Sequence, residues 1–298
     1  MKRRAVRREA RAKINVFLRV LSAREDGYHD LESLVVPISL ADRVTTRRAD
    51  RLQVDVTGAA ELAGEVPAGG LNLALVAALA LGDACPEAGG ALVQIEKRIP
   101  VAAGLGGGSA DAAATLLALN ELWGCDLDPA TLSDIGERIG SDVPAMLVDA
   151  PVLMYGRGEQ LAPASVATLW WVVVTFDFGV RSPDAYRWWD EDGGSTGPDP
   201  EPLLEAAAVG DPRALGPMLY NDLEPSVIAR HPPIGDARSR LLDRGALGAV
   251  MSGSGSSVVG LARDREHAEG LARTLEGAIV TSGAPGRGID SNARSGVV

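Results

Sequence analysis

The sequence predicts an α+β protein of two domains. Segment 51–56 alternates apolar and polar residues with the period of a strand, whereas segment 109–119 is rich in Ala and Leu, as helices are. The length of 298 residues favours about two domains. We therefore expect a first domain over residues 1–158 and a second domain over residues 159–298.

Strands dominate the first part of the chain. A basic leader (residues 2–11) precedes an apolar run that contains Asn15 and stops at Arg19, which is unlike a signal peptide and favours a flexible or misassigned start. Asp26-Gly27 indicates a turn inside a loop over residues 22–30. The predicted elements here are strands at 13–20, 34–40, 51–56 and 91–99 and a helix at 72–81.

Helices and a second group of strands are predicted further along. Ser109 is placed to cap the helix over 109–119, with Asp111 in the first turn, where a carboxylate suits the helix dipole. Residues 190–202 are acidic and rich in Gly and Pro, which indicates an exposed, mobile loop. The other predicted elements are helices at 131–139, 202–208 and 212–220 and strands at 169–176, 248–251 and 258–262.

Composition excludes several classes of protein. The formal net charge of −11 argues against general nucleic-acid binding, because a phosphate backbone demands a basic face. The longest mostly apolar run, 71–81, is too short to cross a bilayer. The two cysteines, Cys85 and Cys125, lack metal-ligand spacing. We therefore expect a reduced, cytoplasmic protein that binds neither nucleic acid nor membrane.

The run Gly104-Leu105-Gly106-Gly107-Gly108-Ser109 indicates a phosphate-binding loop. Glycines let backbone N–H groups approach a phosphate, and a helix N-terminus behind them adds donors and a favourable dipole. A structural turn is the alternative for such a run. No Gly-Lys-Ser or Gly-Lys-Thr occurs, which excludes a Walker-type loop, and the glycines do not match the dinucleotide fingerprint.

Five blocks in a fixed order identify a family resemblance. The chain resembles the GHMP kinase superfamily in the segments Ala12–Leu18, Asp26–His29, Pro100–Ala110, Gly140–Pro144 and Met251–Gly255. This resemblance implies the two-domain GHMP kinase fold, with the active site in the cleft between the domains. It also implies ATP with Mg²⁺ as the phosphoryl donor.

The resemblance assigns the catalytic roles to Lys13 and Asp142. A carboxylate can accept the proton of the acceptor hydroxyl, and an ammonium beside it can stabilise the charge that develops during transfer. Taken without the resemblance, Asp142 has an alternative role as a helix or turn cap.

The resemblance also implies a second set of residues, which would bind a cytosine base and the rest of the substrate. In the resembled kinases the residue at Tyr28 stacks on the base, the one at His29 binds its polar edge, and Tyr186 matches the second aromatic of a sandwich. The alternative is that Tyr28 merely covers the turn at Asp26-Gly27. The full set of expected substrate contacts is Asn15, Tyr28, His29, Ser182, Tyr186, Gly253 and Ser254. A tight hairpin is the alternative for the glycine turn over 253–256.

The glycine loop and the resemblance together imply a third set, which would bind ATP. It comprises Asn72, Lys97, Pro100, Gly104, Leu105, Gly106, Gly107, Gly108 and Ser109. Asn72 has an equally good alternative as the N-cap of its helix. Superfamily members often carry serines directly after Gly-Leu-Gly, and one of them can bind Mg²⁺. Because Gly107 and Gly108 stand there in this chain, the sequence leaves the metal ligand open.

The resemblance thus implies an ATP-dependent kinase that phosphorylates a hydroxyl of a small molecule, namely cytidine diphosphate-linked methylerythritol. Two alternatives remain at this level: a kinase of homoserine or a sugar, and a catalytically silent nucleotide-binding relative. The Asp-Gly-Tyr-His block argues against the first, since those substrates offer no base to stack. Lys13 and Asp142 together argue against the second. We expect a monomer or a weak homodimer.

Overall fold

A long antiparallel pair of strands organises the first half of the molecule. The computed structural model describes residues 5–58 and 72–283. Within it, β1 (Ala5–Ala23) and β2 (His29–Arg48) pair from Ala5 opposite Arg47 to Ala23 opposite His29. The register shifts at three places along β1, on either side of Lys13 and near Val20. Both strands are longer than predicted, because the chain stays extended well beyond its apolar segments.

The basic leader is part of this pair. Residues 5–11 lie in β1, with Val6 and Ala10 buried under the helices. Arg8 lies on the same face and pairs with Glu121, whereas Arg7 and Arg11 lie on the other face. The prediction of a flexible start is wrong for these residues. As part of a strand they pair their backbone groups within the sheet, and the alternation of the side chains keeps the charged ones near solvent. Residues 1–4 of the leader lie outside the described part of the chain.

Nine further strands complete two sheets. The larger sheet has seven strands in the order β3-β4-β2-β1-β8, with β5 pairing with β2 and β6. The smaller has four antiparallel strands in the order β11-β7-β10-β9. The strands are β3 (Gln53–Gly58), β4 (Ala91–Lys97), β5 (Val152–Tyr155), β6 (Gln160–Pro163), β7 (Trp170–Val174), β8 (Tyr220–Asn221), β9 (Gly248–Met251), β10 (Val258–Ala262) and β11 (Ile279–Ser282).

Helices cover the sheets. They are α1 (Leu73–Ala84), α2 (Gly107–Trp123), α3 (Pro129–Ile139), α4 (Val143–Val148), α5 (Ser182–Glu191), α6 (Glu201–Val209), α7 (Pro212–Leu215), α8 (Glu224–Arg230), α9 (Pro232–Asp243) and α10 (Arg265–Ala272). α1 and α2 pack against each other, and α2 lies over one face of β1 and β2. On the described residues, no helix is both long and apolar enough to cross a membrane.

The core of β1 joins the two halves. Ile14, Val16 and Phe17 pack with Trp171 of β7 and Val259 of β10 in one buried apolar cluster. The alternating residues Lys13 and Asn15 therefore lie on the opposite face of the strand. On that face, Asn15 Oδ1 and Lys13 Nζ lie 3.1 and 3.4 Å from the position of a Cβ at Gly253, in the second half of the chain. The boundary at residues 158 and 159 stays a prediction.

Two predicted elements differ from the structure. The helix predicted at 212–220 ends at Leu215 and continues as a 3₁₀ turn over Gly216–Met218. A Cβ at Gly216 would lie 2.1 Å from the backbone oxygen of Leu247, so close packing against β9 sets this turn. The helix predicted from Ser109 starts two residues earlier, at Gly107.

The acidic segment 190–202 is also different from its prediction. Its first residues belong to α5, and α6 begins at Glu201. In between, the Gly197 N–H donates to Asp222 at 3.1 Å, and Arg19 donates to the Pro198 carbonyl at 3.0 Å. The segment is exposed in large part, but these bonds attach it to both halves.

A disulfide joins Cys85 and Cys125. It connects the C-terminal end of α1 to the segment after α2, within the apolar cluster that the two helices share. The prediction of reduced thiols is wrong for this pair, because the fold brings together two residues that the sequence separates by 40 positions.

Candidate active site

A cleft of about 780 Å³ runs between the two halves of the molecule. β1, the segment between α3 and α4, and the glycine loop form one side, and α5 and the turn after β9 form the other. The cleft brings together eleven predicted site residues: Lys13, Asn15, Tyr28, His29, Gly104, Gly106, Asp142, Ser182, Tyr186, Gly253 and Ser254. Seven others, all predicted to bind ATP, do not line it: Asn72, Lys97, Pro100, Leu105, Gly107, Gly108 and Ser109.

Lys13 and Asp142 meet in this cleft. Lys13 Nζ lies 3.4 Å from Asp142 Oδ2, and the lysine side chain is 7% exposed whereas the aspartate side chain is 33% exposed. Asp142 occupies the cap position of α4, yet its side chain makes no capping hydrogen bond. The alternative of a capping role is therefore wrong, and the carboxylate is open to the cleft.

Asn15 holds the lysine in place. Lys13 Nζ donates to Asn15 Oδ1 at 2.7 Å, and Asn15 Nδ2 donates in turn to Ser33 Oγ at 2.8 Å. Ser33 Oγ donates to the Phe17 carbonyl at 2.7 Å. Since each donor has an acceptor, this buried chain fixes the ammonium without an unpaired polar atom. Sequence reasoning missed Ser33, which belongs to no motif.

The glycines at 104 and 106 are required by close packing as well as by backbone angle. Both have positive φ, +74° at Gly104 and +70° at Gly106. A Cβ at Gly104 would lie 2.5 Å from the Gly255 carbonyl oxygen, and one at Gly106 would lie 2.5 Å from Met146 Cε. The loop therefore touches the second half of the chain through Gly255 and follows the contour of Lys13, whose Cγ lies 3.1 Å from that Gly106 position.

The first N–H groups of α2 lie at the end of the glycine loop, and no side chain caps them. Gly106 is the cap residue and makes no side-chain bond, so the prediction of Ser109 as the cap is wrong. The first N–H groups of a helix lack intrahelical acceptors and carry the positive end of its dipole. An anion such as a phosphate can therefore bind at this end.

Lys97 lies beneath the glycine loop in a buried ion triad. Its ammonium pairs with Asp42, and with Asp111 Oδ2 at 2.8 Å. Lys97 Nζ also lies 3.5 Å from the position of a Cβ at Gly107. The lysine side chain is only 3% exposed, so the structure places it under the loop and not in the cleft.

One ammonium cannot neutralise both carboxylates of the triad. Burial, with the charge of Asp42 adding to it, raises the pKa of Asp111 to about 7 against the opposing effect of Lys97. Burial lowers the pKa of Lys97, but the two carboxylates outweigh it and the net direction is up. Asp111 was predicted to interact with the dipole in the first helical turn. It lies one turn further along, where its contact is the lysine.

Asn72 caps α1. Its side chain accepts a hydrogen bond from the Ala74 N–H at 3.0 Å, and the residue is buried. The N-cap alternative is thus confirmed for Asn72. Its predicted contact with ATP stays a prediction.

An aromatic group forms the other end of the cleft. The His29 ring stacks on Tyr186, with centroids 5.0 Å apart and planes at 23°, and meets the edge of Trp189 at 5.8 Å. Tyr28 is 58% exposed, and the Arg157 guanidinium lies 5.1 Å from its ring centroid. Burial and the charge of Asp142 raise the pKa of Tyr186, which keeps its phenol protonated.

The turn after β9 contributes the remaining predicted residues. Ser182 Oγ and Ser254 Oγ lie 3.1 Å apart, across the gap between α5 and the turn. Asn221 Nδ2 donates to the Met251 and Gly253 carbonyls, both at 2.7 Å, and holds the turn against β8. Sequence reasoning missed Asn221, because no motif surrounds it.

No described group of three or more His, Cys, Asp or Glu side chains could hold a metal ion. Mg²⁺ bound through nucleotide phosphates needs only one or two protein oxygens, so this finding and a Mg²⁺–nucleotide complex are compatible. Ser109 Oγ lies 4.0 Å from the position of a Cβ at Gly140, which places a hydroxyl between α2 and the segment that carries Asp142.

Comparison with known proteins gives matches along most of the chain. The GHMP kinases N terminal domain matches residues 72–157, and the GHMP kinases C terminal domain matches residues 203–279. A protein from Symbiobacterium thermophilum named 4-diphosphocytidyl-2-C-methyl-D-erythritol kinase is 44% identical over 264 residues, 87% of this chain and 91% of that protein. One of the same name from Streptomyces avermitilis is 40% identical over 89% of this chain and 90% of its own length.

Solved structures agree with these matches. A crystal structure of 4-(cytidine 5'-diphospho)-2C-methyl-D-erythritol kinase has a TM-score of 0.80 at 37% identity, covering 94% of this chain and 100% of its own. Homoserine kinase from Cytophaga hutchinsonii has a TM-score of 0.68 at 19% identity, covering 97% of each chain, which shows a shared fold alone. The predicted α+β fold of two domains is confirmed.

Proposed function

The chain belongs to the 4-diphosphocytidyl-2-C-methyl-D-erythritol kinases of the GHMP kinase superfamily, and from this premise we propose that it transfers the γ-phosphoryl group of ATP to the 2-hydroxyl of 4-diphosphocytidyl-2-C-methyl-D-erythritol. This reaction belongs to the non-mevalonate route to isopentenyl diphosphate. The observation that carries the proposal is the Lys13–Asp142 pair at 3.4 Å in a cleft that also contains Tyr28 and His29.

Asp142 is the proposed base. Its carboxylate lacks a capping bond and faces the cleft, so it can accept the proton of the acceptor hydroxyl as that oxygen attacks the γ-phosphorus. The bond between the γ-phosphorus and the bridging oxygen breaks, and ADP leaves. The Lys13 ammonium, held by Asn15, stabilises the negative charge on the attacking and transferred oxygens.

ATP is proposed to bind at the glycine loop. The free N–H groups at the start of α2 and the positive end of its dipole suit the triphosphate. The Lys97 triad supports this loop from below and makes no bond across the cleft. Mg²⁺ would neutralise part of the phosphate charge, and the Ser109 hydroxyl, in the first turn of α2, would be available to it as an oxygen ligand.

The cytidine end is proposed to lie at the aromatic group. Tyr28 presents an exposed face on which a base can stack, and Tyr186 and His29 line the adjoining wall. Ser182 and Ser254 face the cleft between this wall and Lys13, where their hydroxyls can contact the polyol or the diphosphate.

The test is coupled detection of ADP release from purified protein. The cytidine diphosphate-linked methylerythritol should be turned over, whereas homoserine and mevalonate should not. Phosphorus NMR of the product should show a phosphomonoester on the 2-oxygen. A folded protein that binds ATP but releases no ADP with this substrate would contradict the proposal.

A further inference from the structure

The aromatic end of the cleft contains a carboxylate that no part of the proposed reaction uses. Asp190 is the ninth residue of α5, and its two oxygens lie 3.0 and 3.1 Å from His29 Nε2. Its side chain is 46% exposed, whereas that of His29 is 7% exposed. A hydrogen-bonded pair so exposed on one side contributes little to stability, which points to a role in orientation.

One face of α5 holds the histidine ring. Tyr186, Trp189 and Asp190 stand at positions i, i+3 and i+4 and therefore share a face of the helix. Tyr186 stacks on the imidazole, Trp189 meets its edge at 90°, and Asp190 accepts the Nε2 hydrogen. Together these contacts determine both the plane of the ring and which nitrogen faces α5.

The carboxylate also determines which nitrogen carries the proton. A carboxylate only accepts hydrogen bonds, so Nε2 must be the protonated nitrogen in this contact. In neutral imidazole the other nitrogen then has a lone pair and acts as an acceptor. Among the described residues, Nδ1 has no hydrogen-bond partner, and the residue lines the cleft.

We propose that Asp190 is a positioning residue that locks His29 in the Nε2–H tautomer, so that Nδ1 accepts a hydrogen bond from an amino group on the base and selects cytosine over uracil. Cytosine has an amino donor at position 4, where the carbonyl of a uracil is an acceptor. A lone pair facing that carbonyl would repel it and leave both acceptors unpaired. This proposal rests on the proposed cytidine substrate and adds the origin of the base preference.

The tautomer is measured directly by imidazole ¹⁵N NMR. The chain has three histidines, and His29→Gln assigns the His29 signals by their loss. At pH 8 the wild-type spectrum should show His29 with a protonated Nε2 and an unprotonated Nδ1. Asp190→Ala should convert this to a mixture of tautomers, and Asp190→Asn, which keeps an acceptor oxygen, should retain the Nε2–H form. A wild-type His29 protonated on Nδ1, or on both nitrogens, overturns the proposal.

Base selection is measured with CMP and UMP as probes. Wild-type protein should bind CMP more tightly than UMP, and Asp190→Ala should reduce this ratio by about 10- to 100-fold, the range expected for one lost base contact. In turnover, KM for the cytidine substrate should rise while kcat stays close to the wild-type value. Asp192, two residues further along at the C-terminal end of α5, pairs with Arg230 instead. Asp192→Asn is therefore the matched control and should change neither the CMP-to-UMP affinity ratio nor the tautomer of His29.

Failure of the two proposals is distinguishable. A protein that prefers CMP and shows the Nε2–H tautomer but does not phosphorylate the substrate retains the positioning role and loses the proposed reaction. A protein that turns over the cytidine substrate with an unchanged CMP-to-UMP ratio in Asp190→Ala loses the positioning role alone. A wild-type protein without any preference for CMP also overturns it.

Discussion

Lys13 Nζ lies 3.4 Å from Asp142 Oδ2, although one residue belongs to the first strand and the other follows the third helix. The lysine is buried and bonded to Asn15, so the more exposed aspartate is the partner that can meet a substrate. This division of roles makes the pair testable one residue at a time.

Asp142→Asn should reduce kcat by roughly 10²- to 10⁴-fold, the usual contribution of a general base. The amide keeps the size of the side chain but cannot accept the proton. ATP affinity, measured by calorimetry, should stay near the wild-type value because the glycine loop is untouched. Retained turnover in this variant would remove Asp142 from the role of base.

Tyr28→Ala should raise KM for the cytidine substrate with a smaller effect on kcat, since a stacking contact binds ground state and transition state alike. Loss of one aromatic contact with a base is worth about 1–3 kcal/mol, or roughly 5- to 150-fold in KM. Tyr28→Phe keeps the ring and is the matched control. Equal KM values for the Ala and Phe variants would contradict stacking.

Gly106→Ala should destabilise the protein by about 1–3 kcal/mol in urea unfolding, because the new Cβ meets Met146 and Lys13 at a positive φ. Gly108→Ala is the structural control for this measurement. Its Cβ would meet only Leu73 at 3.5 Å, an ordinary contact. Stability should therefore stay level or rise, and equal losses in both variants would show that the crowding at Gly106 has no effect.

Lys97→Met should lower the free energy of unfolding by about 3–5 kcal/mol, because it leaves Asp42 and Asp111 buried without their cation. Urea titration at neutral pH measures this loss. The double variant Lys97→Met, Asp111→Asn should recover part of this free energy. An equal loss in the single and the double variant would show that the charges of Lys97 and Asp111 do not interact.

Asp111 should also make stability depend on pH. Burial raises its folded-state pKa to about 7, above its ordinary value near 4, so the folded protein holds a proton that the unfolded chain has released. The stabilising contribution is complete below pH 4 and is lost as the pH rises through about 7. Asp111→Asn should flatten the change in urea midpoint between pH 5.5 and 8, whereas Asp50→Asn, on an exposed turn, should leave it as in the wild type.

Cys85→Ser should lower the free energy of unfolding by about 4 kcal/mol, the entropy expected for a loop of the 40 residues that the disulfide closes. Dithiothreitol should produce the same loss in the wild-type protein and none in the variant. Mass spectrometry of alkylated, unreduced protein measures free thiols directly, and two labelled cysteines would contradict the bond.

The motif blocks named residues that the structure brings together in the cleft. Lys13, Asn15 and Asp142 lie close to one another there because each block contains both a polar side chain and the local geometry that presents it. In β1 the alternation of Ile14 and Val16 with Lys13 and Asn15 separates core from cleft. This alternation involves only neighbouring residues, so a single sequence is enough to predict it.

Contacts between distant segments could not be predicted in the same way. Lys97 is a plausible phosphate ligand until Asp42, on β2, is found beside it. Asp190 looked like part of a mobile acidic segment, although its spacing from Tyr186 and Trp189 is that of a helical face. Asn221 and Ser33 lie outside every motif. Their roles depend on which backbone groups need a partner after the two halves have packed together.

The glycine loop belongs to the first half of the chain, but some of its contacts come from the last third. Ala103 accepts hydrogen bonds from the Ser257 N–H and hydroxyl, and Gly104 fits against Gly255. During translation, this loop therefore emerges long before the residues that shape it. Ribosome-stalled chains ending at residue 250 should leave a fluorescent ATP analogue unbound, in contrast to released chains. We therefore expect nucleotide binding to begin only after most of the polypeptide has been synthesised.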